Sequence, residues 1–177
     1  MSVMARKSNT KKTVLISMFA ALSVALLYVG SIIEVLDISA AVVASLLCIV
    51  TVIEYGGGAP WLVYAVTSVL SLVLLPYKMP AFMYAVFFGY YPIIKEKLEK
   101  HLKKPVAWVV KELIFNVAII AITAASRWLF LSEDSPIAFE IAFIALSEVA
   151  FVLYDIALTR VVTVYIFKLR KRFKFLK

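Results

Sequence analysis

The residues of this chain that can do chemistry are concentrated in two stretches that are otherwise apolar. One carries Glu112, Asn116, Thr123 and Arg127, and the other Glu140, Ser147, Glu148, Asp155 and Thr159. At ~100° per residue the first set falls within about 60° of helix circumference and the second within about 120°. Each is a one-sided polar stripe. Carboxylates, an amide and a guanidinium in that arrangement bind a small polar molecule or pair with one another. The parts of a catalyst are missing beside them. One histidine, His101, and one cysteine, Cys48, exclude a Cys/His metal cluster of ordinary ligand number, and the acids follow no metal-ligand spacing. No Gly-x-x-x-x-Gly-Lys-Ser/Thr loop occurs; Gly56-Gly57-Gly58 runs into Ala59-Pro60 and reads as a helix breaker. The expectation is a protein that binds rather than reacts, with no catalytic residue, metal or cofactor.

The surroundings of the stripes follow from composition. Hydrophobic residues make up 64% of the 177 residues and charged residues 17%, with a mean hydropathy of +0.98. Soluble domains hold about 45 to 50% apolar residues, so the chain reads as an integral membrane protein. Residues 1–177 are expected to form a single membrane domain, with no room for an ordinary soluble catalytic domain. Backbone groups in lipid must be paired within the segment, and no alternating barrel pattern appears, so the fold class is all-α and polytopic.

Six transmembrane helices are predicted at about 13–30, 38–55, 60–76, 79–95, 105–131 and 137–167, between a basic leader, 1–12, and a basic tail, 168–177. The breaks are Gly56 to Pro60, Pro76 to Pro80, the charged segment Lys95 to Lys104 and Ser132 to Pro136. The first run is longer than the apolar core of a signal peptide and is kept as a helix. Several early runs lie near the roughly 17-residue minimum for a span, so they must borrow turn residues or thin the bilayer.

Net charge, +8, fits topology better than nucleic-acid binding, because the basic residues come in blocks beside apolar runs. An even count of spans collects three of these blocks on one side: Arg6, Lys7, Lys11 and Lys12; Lys95, Lys97, Lys100, Lys103 and Lys104; and the tail from Lys168 to Lys177. The opposite connections hold Lys78 with Glu34, Asp37, Glu133 and Asp134. The positive-inside rule then makes both termini cytoplasmic, in a multi-pass protein of the plasma membrane. His101 falls in the cytoplasmic lysine-rich segment and reads as a solvated surface residue, and Cys48 as small apolar packing.

With the last two helices antiparallel, Arg127 comes level with Glu140, Asn116 with the stretch Glu148 to Asp155, and Lys111 and Glu112 with Asp155 and Arg160. Two readings of this seam stay open. Glu112 with Arg160, or Lys111 with Asp155, would be ion pairs holding helices together, whereas Asn116, Arg127 and Glu148 are candidate ligand contacts. The outer connections add Glu34, Asp37, Tyr77, Lys78, Trp128 and Glu133. Tyr84 offers a ring and a hydroxyl to a ligand, or packs in the core. Trp61, Trp108 and Tyr165 read as interfacial belt residues.

The first helix carries Ser17, Ala21 and Ala25 at spacings of four, one row of small side chains that lets another backbone approach closely. A basic leader, this row, six spans in under 180 residues, cytoplasmic termini and the absence of an ATPase motif together resemble the S component, the substrate-binding subunit, of energy-coupling factor (ECF) vitamin transporters. The resemblance implies that the row at Ser17, Ala21 and Ala25 docks on a membrane T component, itself bound to two ATPase subunits. It also implies an outward pocket for a small-molecule substrate, at positions that here hold Glu34, Tyr77, Lys78, Tyr84, Asn116, Arg127, Trp128 and Glu148. No substrate-specific signature is present, and nucleic acid is not an expected partner, whereas membrane lipids are. Alternatives of other classes are a structural scaffold in the membrane, or a small dimeric channel or exporter.

Overall fold

The computed structural model describes residues 2–130 and 137–169. Helix accounts for 91% of the structure, and no strand occurs among the described residues. The chain divides into two compact units, the first within residues 1–101 and the second within 102–174.

The first unit opens with α1, Ser2–Ile32, followed by a 3-10 turn at Glu34–Leu36 and α2, Asp37–Glu54. The basic leader is the beginning of α1 rather than a separate segment. The inward side of α1 carries Phe19, Ala20, Ser23, Leu27, Gly30 and Ser31, all buried and recurring at helical spacing. Ala41, Ala44, Ser45 and Cys48 are buried on α2. These side chains are mostly small, because helices in an apolar solvent gain from close packing rather than from escaping water. The packing leaves no room at Gly30, where an added Cβ would collide with the methyl group of Ala40 and come within 3.3 Å of the Leu36 carbonyl oxygen.

A hydrogen-bonded turn links α2 to α3, Ala59–Leu74, with Gly56 and Gly57 at φ of +55° and +56°. Only glycine takes that left-handed conformation without steric cost. Pro60 sits in the first turn of α3, where its missing N–H is harmless.

The fourth segment departs from the expected continuous helix at 79–95. It consists of α4, Met79–Met83, a π-helical turn at Tyr84–Phe88, a bend at Gly89 and Tyr90, and then α5, Tyr91–His101. Pro92 is the cause: it has no N–H to give the Phe88 carbonyl, and its ring opposes that carbonyl. The charged stretch after Lys95, expected as a connection, continues α5 as far as His101. Leu27, Ala41, Ala44, Leu75, Ala81 and Tyr84 form the core of this unit, and Cys48, Val52 and Ile93 form a second buried cluster, with Tyr64 packed against both.

The second unit comprises α6, Lys104–Phe130, and α7, Ile137–Val164, which ends in a π turn at Tyr165–Leu169. Four helices among the described residues are long and apolar enough to cross a membrane: Lys12–Ile32, Asp37–Glu54, Lys104–Ala124 and Ile144–Lys168. This is the signature of a membrane protein. At 16 residues, α3 is shorter, about 24 Å at 1.5 Å per residue. Gly30→Val is expected to destabilise the first unit by ~1–3 kcal/mol through overpacking against Ala40. A lowered unfolding midpoint in detergent, followed by circular dichroism, checks it.

Candidate functional site

The polar stripes of α6 and α7 meet in the second unit. Lys111 Nζ donates to Asp155 Oδ2 at 3.2 Å, with the two residues only 2% and 3% exposed. One helical turn away on each helix, Phe115 and Phe151 stack with ring centroids 4.6 Å apart and planes inclined by 12°. Moving four residues forward on α6 matches moving four residues back on α7, which is the antiparallel register expected from sequence. The Lys111 ammonium also lies 5.2 Å from the centre of the Trp108 ring. Carboxylate on one side and aromatic face on the other compensate a charge that would otherwise be costly to bury.

Glu112 and Asn116 lie beside this pair. Asn116 Nδ2 donates to the Glu112 backbone carbonyl at 3.0 Å, and the Glu112 side chain faces Glu148 of α7 rather than Arg160. Thr159 Oγ1 donates to the Asp155 carbonyl at 2.9 Å, and Thr163 Oγ1 to that of Thr159 at 2.8 Å. These hydroxyls satisfy themselves on their own helix, as Ser and Thr do in apolar surroundings. Among the described residues, no three acidic, histidine or cysteine side chains converge as a metal ion would require. Asn116 and Glu148 are therefore neighbours of one half-buried polar seam that includes Glu112. Arg127 and Trp128 lie on the last turns of α6, and their side chains, like that of Glu140, lie outside the described residues.

The remaining sequence candidates belong to the first unit, where Tyr77, Lys78 and Tyr84 have definite structural roles. Lys78 Nζ donates to the carbonyls of Leu75 and Val73, closing the end of α3. A cation there also complements the negative end of the helix. The backbone N–H of Tyr77 donates to Ser31 Oγ at 3.0 Å, tying the α3–α4 connection to the end of α1. Tyr84 is fully buried among Leu27, Ala41, Ala44, Leu75 and Ala81. Glu34 lies on the 3-10 turn, and its side chain is outside the described residues. Ser17, Ala21 and Ala25 are exposed on α1, on the side away from the buried Ser23 and Leu27.

Tyr64 was not among the expected site residues, yet it is the hub of an aromatic cluster. Its ring meets Trp61 at 5.9 Å and Tyr90 at 6.0 Å, both edge-on, and Tyr84 at 6.4 Å. Its hydroxyl donates to the Ala85 carbonyl at 2.8 Å. In an α-helix that carbonyl would accept from Gly89, whose N–H instead reaches Tyr84 at 2.7 Å in the π turn. Tyr64 takes the acceptor that the π turn frees. Trp61 and Tyr64 at i and i+3 were the only sequence sign of it.

The chain matches no protein-family model, no curated protein and no solved structure. Lys111→Met alone is expected to cost ~3–5 kcal/mol by stranding the Asp155 carboxylate, whereas the apolar pair K111M/D155L should lie within about 1 kcal/mol of the parent or above it. A double-mutant cycle of unfolding in detergent measures both.

Proposed function

We propose that this protein is the substrate-binding subunit of an ECF-type importer, capturing a small vitamin or related micronutrient outside the cell and handing it inward with a T component and two ATPase subunits. The observation that carries this reading is the exposure of Ser17, Ala21 and Ala25 along one side of α1 while the opposite side holds Ser23, Leu27 and Gly30 in the core. Small residues on the inward side would be explained by packing within the chain. Outward, they leave a backbone-close surface suited to a second membrane helix.

In this reading the chain crosses the plasma membrane six times with both termini in the cytoplasm. The basic blocks support that orientation. Six crossings require α3 and the interrupted α4–α5 segment to span along with the four longer helices. A crossing about 24 Å long is met by local thinning of a hydrocarbon layer of about 30 Å. The action is binding and release, with no covalent step in this chain, and the energy comes from the ATPase partners.

A second reading, a structural scaffold of the membrane, draws on the Lys111–Asp155 pair and the Phe115–Phe151 stack, which account for much of the second unit's polarity by packing alone. Native mass spectrometry of the purified protein separates the two. A transport subunit retains a small molecule and copurifies with T-component and ATPase chains, and a scaffold does neither. For the docking row, Ala21→Trp or Ala25→Trp is expected to abolish assembly and uptake while the isolated chain keeps its ligand. Normal assembly by both variants, measured by copurification, would remove the docking row from the proposal.

A further inference from the structure

We infer that the end of the first unit around the α2–α3 turn is a binding site for the headgroup of an anionic phospholipid. This rests on the reading of the chain as a membrane protein, and not on its role in transport.

Four elements bring two lysines to the rim of this one turn. Lys12, on α1, has its ammonium 5.8 Å from the centre of the Tyr55 ring, directly before the three glycines. Lys97, on α5, has its ammonium 5.5 Å from the centre of the Trp61 ring, three residues after the last of them. Tyr55 and Trp61 belong to the end of α2 and the start of α3. An aromatic face restrains a lysine side chain without neutralising its charge, so both ammoniums are held in place and remain available to an anion.

Between the two lysines the backbone is bare. Gly56 and Gly57 have the positive φ that the turn demands, but Gly58 has an ordinary φ of −84°. A Cβ added at Gly57 or Gly58 would meet no atom within 4 Å. Neither conformation nor internal packing explains glycine at position 58. A surface left low for a bulky group from outside does explain it.

The surrounding charge is of the right sign. Lys12, Lys95, Lys97 and Lys100 lie on the parts of α1 and α5 at this end, against Glu54, Glu96 and Glu99, of which Glu99 is engaged by Lys95 at 2.9 Å, and in the sequence Arg6, Lys7 and Lys11 precede Lys12. Lys12 also begins the candidate span Lys12–Ile32, which places the turn at the level of lipid headgroups. The ligand chemistry is a phosphate monoanion that reaches the site from the bilayer.

The test uses the full chain, purified in detergent with an equimolar mixture of phosphatidylglycerol and phosphatidylcholine and examined by native mass spectrometry. The parent chain is expected to retain phosphatidylglycerol preferentially. At about fivefold per lysine near an anionic surface, K12Q/K97Q should lower that retention roughly twenty- to thirty-fold, whereas K103Q/K104Q, which removes the same charge beyond the end of α5, should leave it within about twofold. Gly58→Leu changes no charge and fills open space, and it should also lower retention at least about fivefold. Equal loss in the two double-lysine variants would overturn the site in favour of general surface charge. Parent-level retention by Gly58→Leu would remove the turn from it, and competition by inorganic phosphate at micromolar concentration would make the ligand a soluble anion. Alkaline carbonate extraction separates the premise from the proposal: release of the chain from membranes overturns both, and a membrane-retained chain without lipid preference overturns the headgroup site alone.

Discussion

An apolar solvent leaves no free partner for a backbone N–H or C=O, and the structure answers that constraint where α3 ends and where the segment after it is interrupted. At the end of α3, Lys78 reaches back to the carbonyls of Val73 and Leu75. Beyond it, the Tyr77 N–H finds Ser31 at the end of α1. The π turn at Tyr84–Phe88 frees the Ala85 carbonyl, and Tyr64 supplies the hydroxyl that takes it. Polar residues that looked in sequence like ligand contacts are in part the fittings that allow short helices to end in such a solvent. Tyr77 and Lys78 have this character.

The second unit solves a different problem with the same economy. A buried ammonium needs a carboxylate, and Lys111 finds one in Asp155 while Phe115 and Phe151 stack a turn away. The aromatic stack and the ion pair fix the same antiparallel register, so neither helix can slide without breaking both. Glu112, Asn116 and Glu148 stand next to this fixed point. They are half-buried rather than sealed, which distinguishes them from Lys111 and Asp155.

In the first unit the division of labour around α1 is the informative feature. Gly30, Ala20 and Ser23 serve contacts within the chain, whereas Ser17, Ala21 and Ala25 serve none of the unit's core. A helix with small residues on two sides can be packed tightly from both directions. One of those sides is already taken.

The sequence by itself determined the helical class, the apolar character, most helix boundaries and the antiparallel level of Lys111 with Asp155, because hydropathy, glycine and proline act locally and helical periodicity carries level along the chain. It also announced the three-glycine turn. It did not determine that the fourth segment breaks, since the effect of Pro92 depends on its surroundings, nor did it show the π turn or the Tyr64 hydroxyl that takes the Ala85 carbonyl. Nor did it decide between ligand and packing roles for Tyr84, which tertiary contact places in the core. The pairing of Lys12 with Tyr55 and of Lys97 with Trp61 joins residues far apart in the chain. Only the fold brings them to one turn, because side-chain proximity between elements is set by how helices pack and not by spacing along any one of them.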